Sequence, residues 1–142
     1  MLNRGRNTQN GRHYMFNPFE DIVEFHQKFG LMPTQKGLLP PDIAAFRHKF
    51  LREEVREHAE ANDDHRLADS LDAMIDVTYV ALGTLVLHGF SAEEMAEAWD
   101  RVHEANMKKV RTYNAADSKR GSIYDVTKPA GWTPPILDDL CR

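Results

Sequence analysis

The sequence predicts an all-α fold, for three reasons. Apolar residues recur every three or four positions in four separate stretches, cap residues bracket those stretches, and no run alternates polar with apolar side chains as a strand would. The first helix is expected to start at Asn17, an N-cap residue with Pro18 at N1 and Glu20 at N3, and to stop at Gly30. Its stripe is Phe19, Ile22, Val23, Phe25 and Phe29. After Pro40-Pro41, a second helix from about Asp42 to Ala61 carries Ile43, Phe46 and Phe50 at helical spacing. The short Asn62-Asp63-Asp64 turn sends a third helix, about Arg66 to His88, back along it, with Gly89 as its C′ residue. Ser91 and Glu94 form a capping box that opens a fourth helix, continuing to about Lys109.

Residues 1–16, polar and aperiodic, read as a flexible arm. Residues 17–110 read as the helical core, and residues 111–142 as an irregular basic tail too long to be an idle connector. No convincing strand is expected.

Length and composition suit one folded domain. The longest apolar run, Val77 to Leu87, is interrupted and short of the roughly 20 residues that span a bilayer, and the N-terminus lacks a secretory h-region. The expectation is therefore a cytoplasmic protein with no membrane partner. The single cysteine, Cys141, excludes an internal disulfide and argues against a cysteine-based site. The net charge of -4 is unevenly spread. Between Lys108 and Lys128 six basic residues face two acidic ones, so an acidic body precedes a basic tail. That pattern lacks the basic face with stacking aromatics of a nucleic-acid binder and better fits a small polyanion held between a metal and the tail.

The acidic body carries Glu53-Glu54-x-x-Glu57 on the second helix and Asp72-x-x-x-Asp76 on the third. At about 100° per residue, Phe46, Phe50, Glu53 and Glu57 share a stripe, so the carboxylates continue an apolar face. Asp69, Asp72 and Asp76 likewise share a strip that Tyr79 and Gly83 extend into apolar sequence. Like charges turned toward a bundle are costly unless a cation neutralises them. Glu53, Glu57, Asp72 and Asp76 are thus candidate ligands, against the alternative of a solvated acidic face. Oxygen-only ligands select magnesium, or manganese, over zinc or copper. A di-iron bundle would need Glu-x-x-His pairs, and the sequence has none.

Glu53-Glu54-Val-Arg-Glu57, Asp76-Val-Thr-Tyr79, Val102-His-Glu-Ala-Asn106-Met-Lys-Lys109 and the tail elements Asp117-Ser-Lys119-Arg120-Gly121 and Lys128-Pro-Ala-Gly-Trp132 resemble the all-α nucleoside triphosphate pyrophosphohydrolases of the MazG and dimeric dUTPase superfamily. The resemblance spans roughly residues 18–135. One departure is that the usual Glu-x-x-Asp pair becomes Asp72-x-x-x-Asp76, with Ala73 three residues before Asp76. The spacing and the Ser-Lys-Arg-Gly tail look more like the bacteriophage branch, which includes enzymes acting on dGTP, and the host cytoplasm would then be the location.

The resemblance implies a four-helix MazG-like bundle assembling as a homodimer or homotetramer, and magnesium-dependent conversion of a nucleoside triphosphate to monophosphate and pyrophosphate. Glu54 is then assigned to orient or deprotonate the attacking water, against the alternative of a salt-bridge partner for Arg47 or His58. Lys109, Lys119, Arg120 and Lys128 are assigned to the phosphates as the tail closes over the site. Asn106 is assigned to the sugar or a metal-bound water, and Trp132 either stacks on a base or anchors the tail. The rival activities are a phosphoribosyl-ATP pyrophosphohydrolase and a dUTPase-like enzyme, and the rival class is a non-catalytic cation-binding helical protein.

Overall fold

The structure, a computed structural model, describes residues 16–142; the expected N-terminal arm lies outside them except for Phe16. Four helices account for most of the described chain: α1 (Pro18–Lys28), α2 (Pro41–Asp63), α3 (Leu67–Leu87) and α4 (Ala92–Met107). The all-α expectation holds, with boundaries within a few residues of those read from the caps.

Local chemistry explains where each helix starts and stops. Asn17 accepts the backbone N–H of Glu20 at 3.3 Å, and Pro18 occupies the first turn, where its missing N–H costs nothing. At the other end of α1, Leu31 N–H donates to His26 O at 2.8 Å and Gly30 takes φ 68°, which closes a Schellman motif. α2 ends in the same motif, Arg66 N–H donating to Ala61 O at 2.9 Å, but here the left-handed position is filled by His65 at φ 57°. The link between α2 and α3 is therefore only three residues long. Ser91 and Glu94 form the expected reciprocal capping box at the start of α4.

The chain divides into two compact units. The first holds the described residues up to Pro33 together with Leu39–His88. In it α3 packs against both α1 and α2, and the α2–α3 seam is the more extensive. By length and composition α3 could cross a bilayer, but here it serves as the central helix of this unit and carries Asp69, Asp72 and Asp76 in its N-terminal half. Ile22 and Val86 are the most deeply buried large side chains of this unit, and Phe19, Ala61, Ala73 and Val80 are also buried. His26 is buried too, held by its Nδ1 against Ile22 O at 2.9 Å.

The second unit comprises Thr34–Leu38 and Gly89–Arg142. Here the tail is more regular than its composition suggests. Val110–Arg111 (β1) pairs antiparallel with Val126–Thr127 (β2), two residues each. This corrects the expectation of no strand; a ladder this short shows no alternation that a periodicity search could detect. Gly89 could not carry a side chain: its φ is 88°, and a Cβ would lie 2.8 Å from the Lys36 Cα. Two cations fasten the C-terminus. Lys36 binds Glu94 and the carbonyls of Leu140 and Arg142, and Arg101 makes a bidentate pair with Asp139 at 2.7 and 2.9 Å plus a bond to Ile136 O.

Candidate functional site

The face of α2 that meets α3 differs from the one the aromatic spacing suggested. Phe46 is 57% exposed, and Glu53 and Glu57 are also exposed. The buried residues of α2 are Arg47, Glu54 and Ala61, one heptad apart. The predicted stripe of Phe46, Phe50, Glu53 and Glu57 therefore does not form the inner face of this unit. Helical periodicity gives the angles between side chains but not which face meets a neighbour from the same chain.

At one point on the seam, Arg47 donates from Nη2 to Val80 O at 2.7 Å and from Nε to Thr84 Oγ1 at 3.1 Å. A Cβ on Gly83 would stand 2.7 Å from Arg47 Nη2 and 3.0 Å from the His26 ring, so the glycine makes room for both side chains. Arg47 is thus bonded to α3, not to Glu54, which removes that salt-bridge partner.

Two turns further along α2, Glu54 is 8% exposed and its Oε2 has no hydrogen-bond partner. Burial pushes its carboxyl above the usual range, and Glu57, Asp76, Glu53 and Asp72 push the same way. Asp76, half-buried on α3, is raised by burial and then by Asp72. Glu57 and Asp72 line one open cleft of about 260 Å³, together with Glu60, Asp64 and Asp69; in the same cleft Arg66 is paired to Asp69. Glu53 turns elsewhere, lining shallow pockets with Phe46, Lys49 and Phe50 and with Lys49, Arg52 and Arg56.

Glu54 is therefore close enough to Glu57, Asp76, Glu53 and Asp72, and Asp76 to Asp72, for their charges to repel, while among the described residues no three acidic, histidine or cysteine side chains converge in ready ligating geometry. The donor set nevertheless suits a hard divalent cation. It offers oxygens only, and one of them is buried and unsatisfied, an arrangement that a positive charge would relieve.

The tail residues lie in the second unit. Trp132 donates from Nε1 to Ala105 O at 2.7 Å, and the Lys109 and Lys128 ammonium groups lie 5.4 and 4.6 Å from its ring centroid. The ring is an anchor whose surroundings are already occupied by cations. Arg120 pairs with Asp125 at 2.8 Å, and Asp125 is further held by Ser118. Lys119 and Asn106 are exposed, with Asn106 near the end of α4.

No curated protein matches the chain. A family model for phosphoribosyl-ATP pyrophosphohydrolase matches residues 22–106, more than half of the chain, taking in every acidic candidate on α2 and α3 and stopping at Asn106, before Lys109 and the tail. With α2, α3 and their acidic seam wholly inside that match, the chain belongs to the phosphoribosyl-ATP pyrophosphohydrolase family, and so to the MazG-like all-helical pyrophosphohydrolases that act on nucleotides.

Proposed function

We propose that the protein hydrolyses a nucleoside triphosphate to the monophosphate and pyrophosphate, using magnesium held by the carboxylates of α2 and α3. The observation that carries this reading is Glu54: a buried carboxylate with an unpartnered oxygen, crowded by four more acids and, among the described residues, in no ion pair. A fold seeking only stability would not keep that arrangement.

Glu54, Glu57, Asp72 and Asp76 are the proposed holders of the ion. Glu54 is proposed to hold the cation, and not to activate water, because its buried unpartnered oxygen lies among Glu57, Asp76, Glu53 and Asp72; Glu53, which also lines the flank with Lys49, Arg52 and Arg56, is an outer member of the set. When bound, magnesium would neutralise phosphate charge and acidify a coordinated water. The chain's own contribution is to hold the carboxylates together against their repulsion. Burial keeps Glu54 out of bulk water, while Glu57 and Asp72 stay open to an incoming ligand. Asn106, Lys109, Lys119 and Lys128 are proposed to contact the substrate. Arg120 is a weaker candidate because Asp125 already holds it.

The narrower proposal is a purine deoxynucleotide such as dGTP, supported by the Asp72-x-x-x-Asp76 spacing and the Ser-Lys-Arg-Gly tail. The family match equally supports phosphoribosyl-ATP as the substrate. Homo-oligomerisation is also proposed, supported by two exposed apolar stripes: Ile43 and Phe46 on α2, and Leu67, Leu71, Met74 and Ile75 on α3.

A panel of canonical nucleoside triphosphates, dUTP and phosphoribosyl-ATP with magnesium, read out as released pyrophosphate, tests the proposal. Turnover of dGTP with none of phosphoribosyl-ATP supports the triphosphate reading, and the reverse replaces it. Release from no member, with magnesium still bound, leaves a cation-binding helical protein. Glu54→Gln should lose magnesium affinity and turnover together; loss of turnover alone would return Glu54 to the water-activating role.

A further inference from the structure

The link between α2 and α3 turns at His65, and the residues that meet across the seam stand at equal distances from it in the sequence. Asp64 and Arg66 flank it, and Ala61 and Asp69, four residues away on either side, line the same cleft as that pair. Glu54 and Asp76, close enough to feel each other's charge, are each eleven residues away, and Arg47 and Gly83 are each eighteen away. Two antiparallel helices of equal rise, joined by so short a link, keep such residues level with each other. The Arg47–Gly83 contact is therefore the far end of one ladder, about 10 Å beyond the level of Glu54 and Asp76.

That end is held by direction as well as by packing. Arg47 donates from Nη2 to Val80 O at 2.7 Å and from Nε to Thr84 Oγ1 at 3.1 Å, in a space that a Cβ on Gly83, 2.7 Å from Nη2, would take from it. The His26 ring of α1 stands 3.0 Å from the same Cβ position and closes the other side. Apolar contacts tolerate a slide along a seam, whereas two bonds to fixed acceptors do not. The guanidinium charge meets only a carbonyl and a hydroxyl in these bonds, and burial lowers its pKa, so it is kept here at a cost in stability.

We propose that Arg47, seated over Gly83, is a positioning residue: it fixes the register of α2 on α3 and so keeps Glu54 level with Asp76 against their repulsion, where both can share a cation. That the aligned acids hold magnesium rests on the function proposed above; the register lock itself does not.

Two double-variant cycles on the full chain test it, the first without metal. Chemical denaturation should show Glu54→Gln raising the folding equilibrium constant about fivefold in the wild-type background and less than about twofold in an Arg47→Gln background, where the helices can slip and the acids separate without it. If Glu54→Gln gains as much or more beside Arg47→Gln, Arg47 acts only as a distant charge or a stabilising contact, and the lock is overturned. The second cycle reads magnesium affinity by calorimetry in variants with native circular dichroism. Arg47→Gln and Gly83→Ala should each weaken binding about tenfold, and the double variant also about tenfold, because both act through one contact. Arg47→Lys, which keeps the charge but not the fork, should not restore affinity, and Ile22→Val, a loss of buried volume elsewhere in the same unit, should stay within about twofold. Wild-type affinity in the Arg47 variants, losses that multiply in the double variant, or an equal loss in Ile22→Val would each overturn the proposal. If Arg47→Gln does not fold, Gly83→Ala takes its place in the first cycle with the same expected result. A wild-type chain that binds no magnesium would remove the proposed cation site, and the metal-free cycle would then decide the lock alone.

Discussion

The carboxylates of the two units are treated in opposite ways. In the second unit Glu94 is held below the usual range, first by Lys36 and then by the Ser91 backbone. Asp125 is lowered first by Ser118 and Asp139 first by Arg101. In the first unit Glu54 and Asp76 are raised, in both cases first by burial and then by neighbouring acids. Acids that serve only to hold a fold are paired. Acids left crowded and unpaired inside one have been kept at a cost in stability, and such residues cluster where a protein does chemistry.

If this contrast has the functional cause proposed, removing the unpaired charge should trade activity for stability. Glu54→Gln should lower pyrophosphate release at least about a hundredfold while raising the stability of metal-free protein by about 1 kcal/mol, since a buried unsatisfied charge gives way to a neutral group that can donate to its neighbours. Turnover assays and chemical denaturation check the two halves, and a variant that loses stability as well would make Glu54 an ordinary structural residue. Magnesium should act on the wild type in the same direction. At about a hundred times its dissociation constant it should add roughly 2.7 kcal/mol. Hydrogen exchange should slow in α2 and α3, while protection at residues 136–142 should not change. Equal protection everywhere would remove the contrast.

The parts of this picture that could be read from sequence are those set by chemistry within a few residues. Asn17, Gly30, Gly89 and the Ser91–Glu94 box marked helix ends because each satisfies or stops the backbone beside it. The inner face of α2 could not be read this way. Phe46 and Phe50 look like core and so point Glu53 and Glu57 inward, whereas the α3-facing heptad is Arg47, Glu54 and Ala61, two of them charged. An arginine becomes a seam residue only because α3 offers it the Val80 carbonyl, the Thr84 hydroxyl and the space over Gly83, and these are supplied 33 or more residues away. The set of acids was legible, but the one at its centre depended on packing. In the tail, the basic composition was plain, while the pairing of Val110 with Thr127 and Arg111 with Val126 depended on a register that only the folded ladder fixes.

Acid separates the two units by sign. Glu94, Asp125 and Asp139 have folded-state pKa values lowered from their unfolded ones. Their contribution is present above the unfolded carboxylate range, near pH 4, and is lost as pH falls through the lowered folded values. Both tryptophans, Trp99 and Trp132, belong to the second unit, so fluorescence reports on it. The emission should hold steady from neutral pH to about 4 and change below it, and Arg101→Ala should move that change to higher pH. A transition unaffected by Arg101→Ala would mean that the Asp139 pair does not hold the C-terminal segment.

The smallest effect lies in the α2–α3 link and separates repulsion from backbone strain within the first unit. His65 occupies the left-handed position of a Schellman motif at φ 57°, a conformation that costs a side-chain-bearing residue about 1 kcal/mol and glycine almost nothing. His65→Gly should therefore stabilise the protein by roughly 0.5 kcal/mol, the relief of strain being partly offset by glycine's greater unfolded-state freedom. This strain is geometric and not electrostatic, so the gain should be the same with and without magnesium, whereas the gain from Glu54→Gln should appear only in metal-free protein. Paired denaturation curves for the two variants, each with and without the ion, separate the contributions. A His65→Gly gain that disappears on adding magnesium would show that the turn yields to the carboxylate repulsion, making the link part of the cation site.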